Sequence, residues 1–244
     1  MPDLPLGEVH IWSARKPSTL LPGLEAALSP GEHERARRFR SPKDRLAYTF
    51  AHAFLRDVLS RYLHCHRGDI RFHETPFGKP FLAEPYGSSS VLEFNLSHTG
   101  GLALIGVCRG RRIGIDVEEI RPIDGLLSMA ETYFTPDERA FIINQLPSDK
   151  GRALLNCWTR KEAYIKAIGN GLSIPLSSFD TLISCRTPVV LLESPPNSRD
   201  EAIWQVANLN VHEDYAAAVA VEKDMTVLVR FDWSNSIAER TKES

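Results

Sequence analysis

Three carboxylates in the second half of the chain could share a cation. In Arg112-Ile-Gly-Ile-Asp116-Val-Glu118-Glu119, strand alternation puts Gly114, Asp116 and Glu118 on one face and Ile113, Ile115 and Val117 on the other. The two acids then stand about 7 Å apart and point the same way. Neighbouring carboxylates repel unless a cation neutralises them, and magnesium takes one or two carboxylates while keeping positions for water and phosphate oxygens. Gly114 on that face would leave space for a ligand. A solvated edge strand would carry the same pattern. The third acid is Glu162, in Trp158-Thr-Arg-Lys161-Glu162-Ala-Tyr-Ile-Lys166. On a helical wheel Leu154, Leu155, Trp158, Ile165 and Ile168 form the apolar arc, and Glu162 falls inside it. Burying it unpaired is costly, so a metal shared with Asp116 and Glu118 is one answer. An ion pair with Lys166, four residues on and worth about 0.3 kcal/mol, is the other. Lys161 also falls near the arc, where its apolar stem would let the ammonium snorkel to solvent.

The first half supplies positive charge. Arg35, Arg37, Arg38, Arg40, Lys43 and Arg45 place six cations in eleven residues against the single acid Asp44, and Arg45, His52 and Arg56 share one helix face. Such a run suits phosphate and also suits a solvated surface. Gly78-Lys79-Pro80 and Asn95-Leu-Ser97-His98-Thr-Gly-Gly add turns with hydroxyl, imidazole and backbone N–H groups fit to hold phosphate. Ser97 beside His98 does not make a serine hydrolase, because neighbours on a strand face opposite ways and no Gly-x-Ser-x-Gly elbow is present. His64-Cys65-His66 is too short a segment for three ligands to converge on zinc.

Length and composition bound what these residues can serve. At 244 residues, 43% hydrophobic and 25% charged, the chain is long enough for one large or two small globular domains. A net charge of −2 lacks the strong positive field of a dedicated nucleic-acid binder. The start has no basic region followed by an apolar run, and no stretch of about 18 apolar residues occurs, so neither signal peptide nor membrane span is expected. A cytoplasmic location follows as an expectation. Cys65, Cys108, Cys157 and Cys185 are far apart, with no Cys-x-x-Cys pair, so neither a zinc site nor a disulfide framework is indicated.

The elements that must position these residues come twice. A strand at Val9 to Trp12, helical sequence from Leu24 to Phe39 with a second start at Ser29-Pro30, and a long amphipathic helix from Pro42 to Leu63 lead to strands at Ile70 to His73, Val91 to Leu96 and Gly101 to Cys108. Then follow a strand at Arg112 to Val117, a helix from Thr135, a long helix from about Lys150 to Ile168, and strands near 179–184, 203–211 and 215–222. Leu28-Ser29-Pro30-x-Glu32 matches Phe134-Thr135-Pro136-x-Glu138 at an offset of 106 residues, and Leu102 to Val107 echoes Tyr215 to Ala220. A repeat this long is a duplicated subdomain rather than a solenoid unit. The expected fold is α+β, a pseudo-dimer of two similar halves, 1–110 and 111–244, with the site between them.

Gly-Lys79-Pro, Asn95-Leu-Ser97-His98, Gly114-Ile-Asp116-Val-Glu118 and Trp158-Thr-Arg-Lys161-Glu162-Ala-Tyr-Ile-Lys166, in this order and spacing, resemble the 4′-phosphopantetheinyl transferases of the larger, Sfp-like class. The resemblance spans about Leu28 to Leu176. It implies transfer of the 4′-phosphopantetheine arm of coenzyme A to a serine of an apo acyl or peptidyl carrier protein, releasing adenosine 3′,5′-bisphosphate. It further implies that Asp116, Glu118 and Glu162 hold Mg²⁺, with Glu162 the best candidate for base toward the carrier serine. Lys166 would meet the pyrophosphate, and Lys79, Asn95, Ser97 and His98 would hold coenzyme A. Arg35 matches a basic position near the 3′-phosphate, and Ile123 to Phe134 matches the stretch that receives the carrier helix. Where the family often has arginine this chain has Ala47, so one phosphate contact is either missing or supplied by Arg45 or His52. The pseudo-dimer implies a monomer, with no role for nucleic acid or membrane. Another Mg²⁺-dependent phosphoryl enzyme, or a non-catalytic coenzyme A or carrier-binding module, are the competing readings.

Overall fold

A computed structural model describes residues 3–19, 23–87, 92–169, 171–182, 189–193, 202–223, 225 and 227–233. Two four-stranded sheets carry the duplicated order. The first joins β1 (Glu8–Arg15), β4 (Leu92–Thr99), β5 (Leu102–Arg109) and β10 (Val227–Asp232) in the order β10-β1-β5-β4. The second joins β6 (Ile113–Glu119), β7 (Val189–Glu193), β8 (Ile203–Asn208) and β9 (Tyr215–Glu222) in the order β6-β9-β8-β7. The arrangement β1-β5-β4 in one sheet is therefore β6-β9-β8 in the other. The halves are not closed units, because β10 crosses back to pair parallel with β1.

Each half starts its first helix in the same way. Ser29 and Thr135, both in extended backbone, cap α1 (Pro30–Arg38) and α4 (Pro136–Ile143) with complete capping boxes to Glu32 and Glu138. That box is why the helical sequence from Leu24 does not form one helix: it divides into a 3₁₀ turn, Glu25–Ala27, and α1. A short α3 (Leu126–Tyr133) precedes α4. The long helices are α2 (Pro42–Leu63) and α5 (Lys150–Ile168). Phe50, Phe54 and Val58 of α2 pack on Trp12, Phe94 and Ile105 of the first sheet. On the opposite faces, Val9, Ile11, Leu104, Ile113, Ile115, Val219 and Val221 form one core between the two sheets.

Several strands differ from the expected bounds, with β1 running on to Arg15, β4 to Thr99 and β6 to Glu119. The expected strand at 70–73 is β2 (Phe72–Glu74), paired with a β3 (Pro80–Leu82) that the Gly-Lys-Pro turn had concealed. Ile70 is instead fully buried, its carbonyl accepting from Arg56. Residues 179–182 are not a strand, because the Thr181 N–H donates to Glu138 and the Leu182 N–H to Asp180 rather than to a neighbouring strand. The remainder of that segment, 183–184, and Val91 lie outside the described residues, and β8 ends at Asn208.

Candidate active site at the seam between the halves

The edge strand β4 of one sheet meets the edge strand β6 of the other, and the site forms along that seam. Asn95, Ser97 and Thr99 alternate onto one side of β4 and meet β6 rung by rung. The Asn95 side-chain oxygen accepts from the Ile115 N–H (2.9 Å), Ser97 Oγ donates to Asp116 Oδ1 (3.0 Å), and Thr99 Oγ1 donates to Glu118 Oε2 (3.4 Å). Thr99 was not singled out from sequence, although it lies two residues beyond Ser97 on the same strand. Period-two alternation alone would have found it.

Helix α5 lies over β6 so closely that a Cβ on Gly114 would stand 2.0 Å from the Ala163 carbonyl oxygen and 2.4 Å from the Ala167 nitrogen. Gly114 thus makes room for a helix backbone, not for a ligand. This close approach brings Lys166 and Glu162 to the strand. Lys166 Nζ sits 2.6 Å from Asp116 Oδ1 and 3.2 Å from Ser97 Oγ. It makes no ion pair with Glu162, so the local i,i+4 pair is not what accommodates that acid.

Asp116 is 4% exposed, and its Oδ2 is buried without a hydrogen-bond partner. Glu162 is half-buried and its carboxylate makes no hydrogen bond among the described residues. Desolvation raises the pKa of both Glu118 and Glu162, and the negative charge of Asp116 raises each further, with Lys166 opposing. Among the described residues no three His, Cys, Asp or Glu side chains close a metal cluster. A bare acceptor oxygen on Asp116, beside two carboxylates that resist ionising together, is nevertheless the donor set a hard divalent cation fits. Oxygen ligands and spare positions for phosphate suit Mg²⁺.

Lys161, expected to snorkel outward, is completely buried. Its Nζ lies 2.7 Å from Glu138 Oε2, both side chains 0% exposed, and it also donates to the carbonyls of Leu176 and Phe179. From sequence, Glu138 stood out only as part of the motif that repeats Ser29-Pro30-x-Glu32. Its carboxylate also accepts from Thr181, so one acid joins α4, α5 and the segment after α5.

Of the basic run from Arg35 to Arg45, only Arg35 lines a cavity of ≈ 490 Å³ that Tyr48, His52, Arg56, Arg71 and His98 also border, while Arg38 pairs with Glu34. Arg35 is exposed at its edge, 4.0 Å from Glu74 and 5.7 Å from the Tyr48 ring centre. His52 and Arg56 both bond Glu32 (3.0 and 2.6 Å). Burial alone would raise Glu32, but the bonds from His52, the Ser29 N–H and Arg56 outweigh it and bring the pKa down to about 2. Arg45 leaves this group and pairs with Glu25 at 3.1 Å. His52, not Arg45, is therefore the group available beside Arg35. His98 is exposed at the cavity mouth, and desolvation, with His52 and Lys166 nearby, lowers its pKa.

Lys79 and Asn95, expected to hold coenzyme A, are engaged across the seam. Lys79 Nζ donates to the carbonyls of Ile113 (3.1 Å) and Ala167 (3.0 Å), and desolvation lowers its pKa to about 8. Both residues also line a second cavity of ≈ 270 Å³, with Phe77, Glu162 and Lys166.

Residues 12–109 match the family described as 4′-phosphopantetheinyl transferase, N-terminal, and residues 112–220 match the 4′-phosphopantetheinyl transferase superfamily. The chain belongs to the 4′-phosphopantetheinyl transferases. Among its relatives, the 4′-phosphopantetheinyl transferase HetI of Nostoc sp. is 35% identical over 216 residues, covering 88% of this chain and 87% of that protein. The 4′-phosphopantetheinyl transferase Sfp of Bacillus subtilis is 31% identical over 152 residues, 62% of this chain and 65% of its own length. The two matched regions meet where the chain passes from β5 to β6. The protein is accordingly an enzyme of the Sfp-like class with the family's α+β fold, and it transfers a 4′-phosphopantetheinyl group.

Proposed function

We propose that the transfer runs at this seam, from coenzyme A to a serine of an apo acyl or peptidyl carrier protein. The observation that supports this site most is Asp116, buried between Ser97 and Lys166 with one carboxylate oxygen unpartnered. Asp116, Glu118 and Glu162 would hold Mg²⁺, which when bound offsets the charge of the pyrophosphate oxygens. Lys166, already against Asp116, would counter the negative charge that grows on the leaving phosphate. Ser97 orients the Asp116–Lys166 pair from the other half. The cavity edged by Arg35 and His98 would take the adenosine 3′-phosphate, and Lys79 and Asn95 would line the path between.

In the reaction the carrier serine oxygen attacks the phosphorus attached to pantetheine. The bond from that phosphorus to the bridging oxygen breaks, and adenosine 3′,5′-bisphosphate leaves. Glu162, half-buried at the seam beside Asp116, would take the serine proton. No nucleophile from the enzyme is needed, since positioning and charge neutralisation suffice for phosphoryl transfer. The carrier helix would dock on α3 and α4, where Leu127, Tyr133 and Phe141 are exposed. The enzyme would act as a cytoplasmic monomer without nucleic acid. No helix among the described residues is long and apolar enough to cross a membrane.

The test is the intact mass of an apo carrier protein after incubation with enzyme, coenzyme A and Mg²⁺. The expected result is a gain of one phosphopantetheine arm that chelator abolishes. An unchanged mass across acyl and peptidyl carriers, or a gain indifferent to chelator, would contradict the proposal.

A further inference from the structure

A helix leaves its last carbonyls without partners of its own, and a cation there meets the negative end of the helix dipole. At the end of α5 the Ile165 carbonyl accepts from the Gly169 N–H at 3.0 Å, and the Ala167 carbonyl accepts from Lys79 Nζ at 3.0 Å. That cation comes from the other half of the chain. The same ammonium donates to the Ile113 carbonyl at the start of β6 (3.1 Å). One side chain of the first half therefore ties together two elements of the second.

Both carbonyls lie beside groups of the site. Ala167 directly follows Lys166, and Ile113 is the first residue of the strand that carries Asp116 and Glu118. Gly114, next to Ile113, is where the backbone of Ala163 and Ala167 presses on β6. Contact between small residues limits how near the helix can come but does little to stop it lifting away or sliding. The two hydrogen bonds of Lys79 oppose those movements.

Lys79 is itself held in place. Its N–H donates to Thr75 Oγ1 (3.1 Å) and its carbonyl accepts from the Thr75 N–H (2.9 Å), closing a turn in which Gly78 has a φ of 81°. A Cβ on Gly169 would stand 3.3 Å from Lys79 Cδ, so the stem runs against the helix end. Desolvation disfavours the ammonium, and the charge of the half-buried Glu93 on β4 favours it. An ammonium has three N–H donors, and two of these are spent on backbone carbonyls. Turning it to a phosphate would take a partner from both.

We propose that Lys79 is a positioning residue for the transfer, fixing the end of α5 against the start of β6 and so setting where the Lys166 ammonium stands against Asp116. It acts through Lys166 and does not hold coenzyme A by its own charge. The inference rests on the reading above, in which Lys166 counters the charge that grows on the leaving phosphate. An interaction that strengthens only in the transition state acts on kcat, so misplacing Lys166 slows turnover without loosening coenzyme A.

The test is a double-mutant cycle read as kcat and as the KM for coenzyme A, on the wild type, Lys79→Met, Lys166→Met and the double variant, with folding checked by circular dichroism. Lys79→Met is expected to lower kcat about tenfold or more while the KM changes less than about twofold. In the Lys166→Met background it should lower kcat no further, since the group it positions is gone. Lys79→Gln, whose amide leaves N–H donors near the freed carbonyls, carries the same comparison if methionine disturbs the turn. A KM that rises about tenfold at constant kcat would make Lys79 a coenzyme A ligand and overturn the inference. So would an unchanged kcat, or a kcat loss of the same size in both backgrounds, which marks general support of the fold. If Lys166→Met alone kept wild-type turnover, the reading of the site would fail, and this inference with it.

Discussion

Trp12 and Asp116 hold equivalent places in the two halves. Trp12 stands opposite Ile105 of β5, Asp116 stands opposite Ala218 of β9, and β5 and β9 occupy the same position in their sheets. Both side chains turn toward elements that bury them. In the first half Trp12 donates to the Tyr62 hydroxyl at 2.7 Å, stacks on Phe231 at 4.5 Å and lies under Arg61. In the second half the same place holds a carboxylate with a serine, a lysine and an unpartnered oxygen. One copy of the strand has kept its core, and the other has exchanged core for charge. The proposed chemistry therefore sits where the first copy has its packing.

The capping acids diverge in the opposite sense. Glu32 and Glu138 close identical boxes, and each also meets a cation from the following long helix, Arg56 or Lys161. Glu138 and Lys161 are sealed from solvent, whereas Glu32, Arg56 and His52 line the open cavity. The half that bears the carboxylate site is locked by a buried ion pair. In the other half the equivalent pair borders a cavity, with Arg56 2% and Glu32 11% exposed.

The largest expected effect separates Asp116 from Trp12. Asp116→Ala should reduce carrier modification on the order of 10³-fold with little change in melting temperature, because it removes charge rather than packing. Trp12→Ala should cost about 3–5 kcal/mol in denaturant unfolding. If Asp116→Ala unfolded the protein as readily, the acid would be structural and the comparison would fail.

Next come the two capping acids. Glu138→Gln leaves Lys161 buried without its counter-charge and should cost about 3–5 kcal/mol by urea titration at neutral pH. Glu32→Gln should cost at most about 3 kcal/mol there, since Glu32 is partly solvated. Because its folded pKa is depressed, that contribution is complete above the ordinary value of 4.5 and is lost as pH falls toward about 2. Wild type and Glu32→Gln should therefore converge in stability on acidification. Equal costs for the two variants at neutral pH would remove the distinction between locked and open halves.

Smaller effects concern the rim. Arg35→Glu should raise the KM for coenzyme A about tenfold with kcat nearly unchanged, as expected of a group that binds ground and transition states alike. A KM that stays constant would dismiss the phosphate role. The acid limb of Mg²⁺ binding, followed by calorimetry against pH, should lie above the usual carboxylate range, because Glu118 and Glu162 both resist ionisation in the metal-free site. A limb at the pKa of a solvated carboxylate would show that neither acid is needed in its charged form.

The duplication was legible because helix-start signals are local: Ser29 and Thr135 with their glutamates mark both helices, and the structure places them as read. The carboxylate face of β6 was legible from strand alternation. Gly114 was misread, since only the tertiary approach of α5 shows which neighbour needs the space. Lys161 was misread for a related reason. A helical wheel gives its direction, but its partner Glu138 comes from another helix and cannot be seen by local periodicity. The return of β10 to β1 is a long-range pairing that no local pattern announces.

The central claim is that the carboxylates gathered at the seam bind coenzyme A through a divalent cation. Calorimetric titration of coenzyme A with and without Mg²⁺, on the wild type and Asp116→Ala, tests it most directly. Mg²⁺ should tighten coenzyme A at least about tenfold in the wild type and leave the variant unchanged. Wild-type binding that is equally tight with chelator present would contradict it.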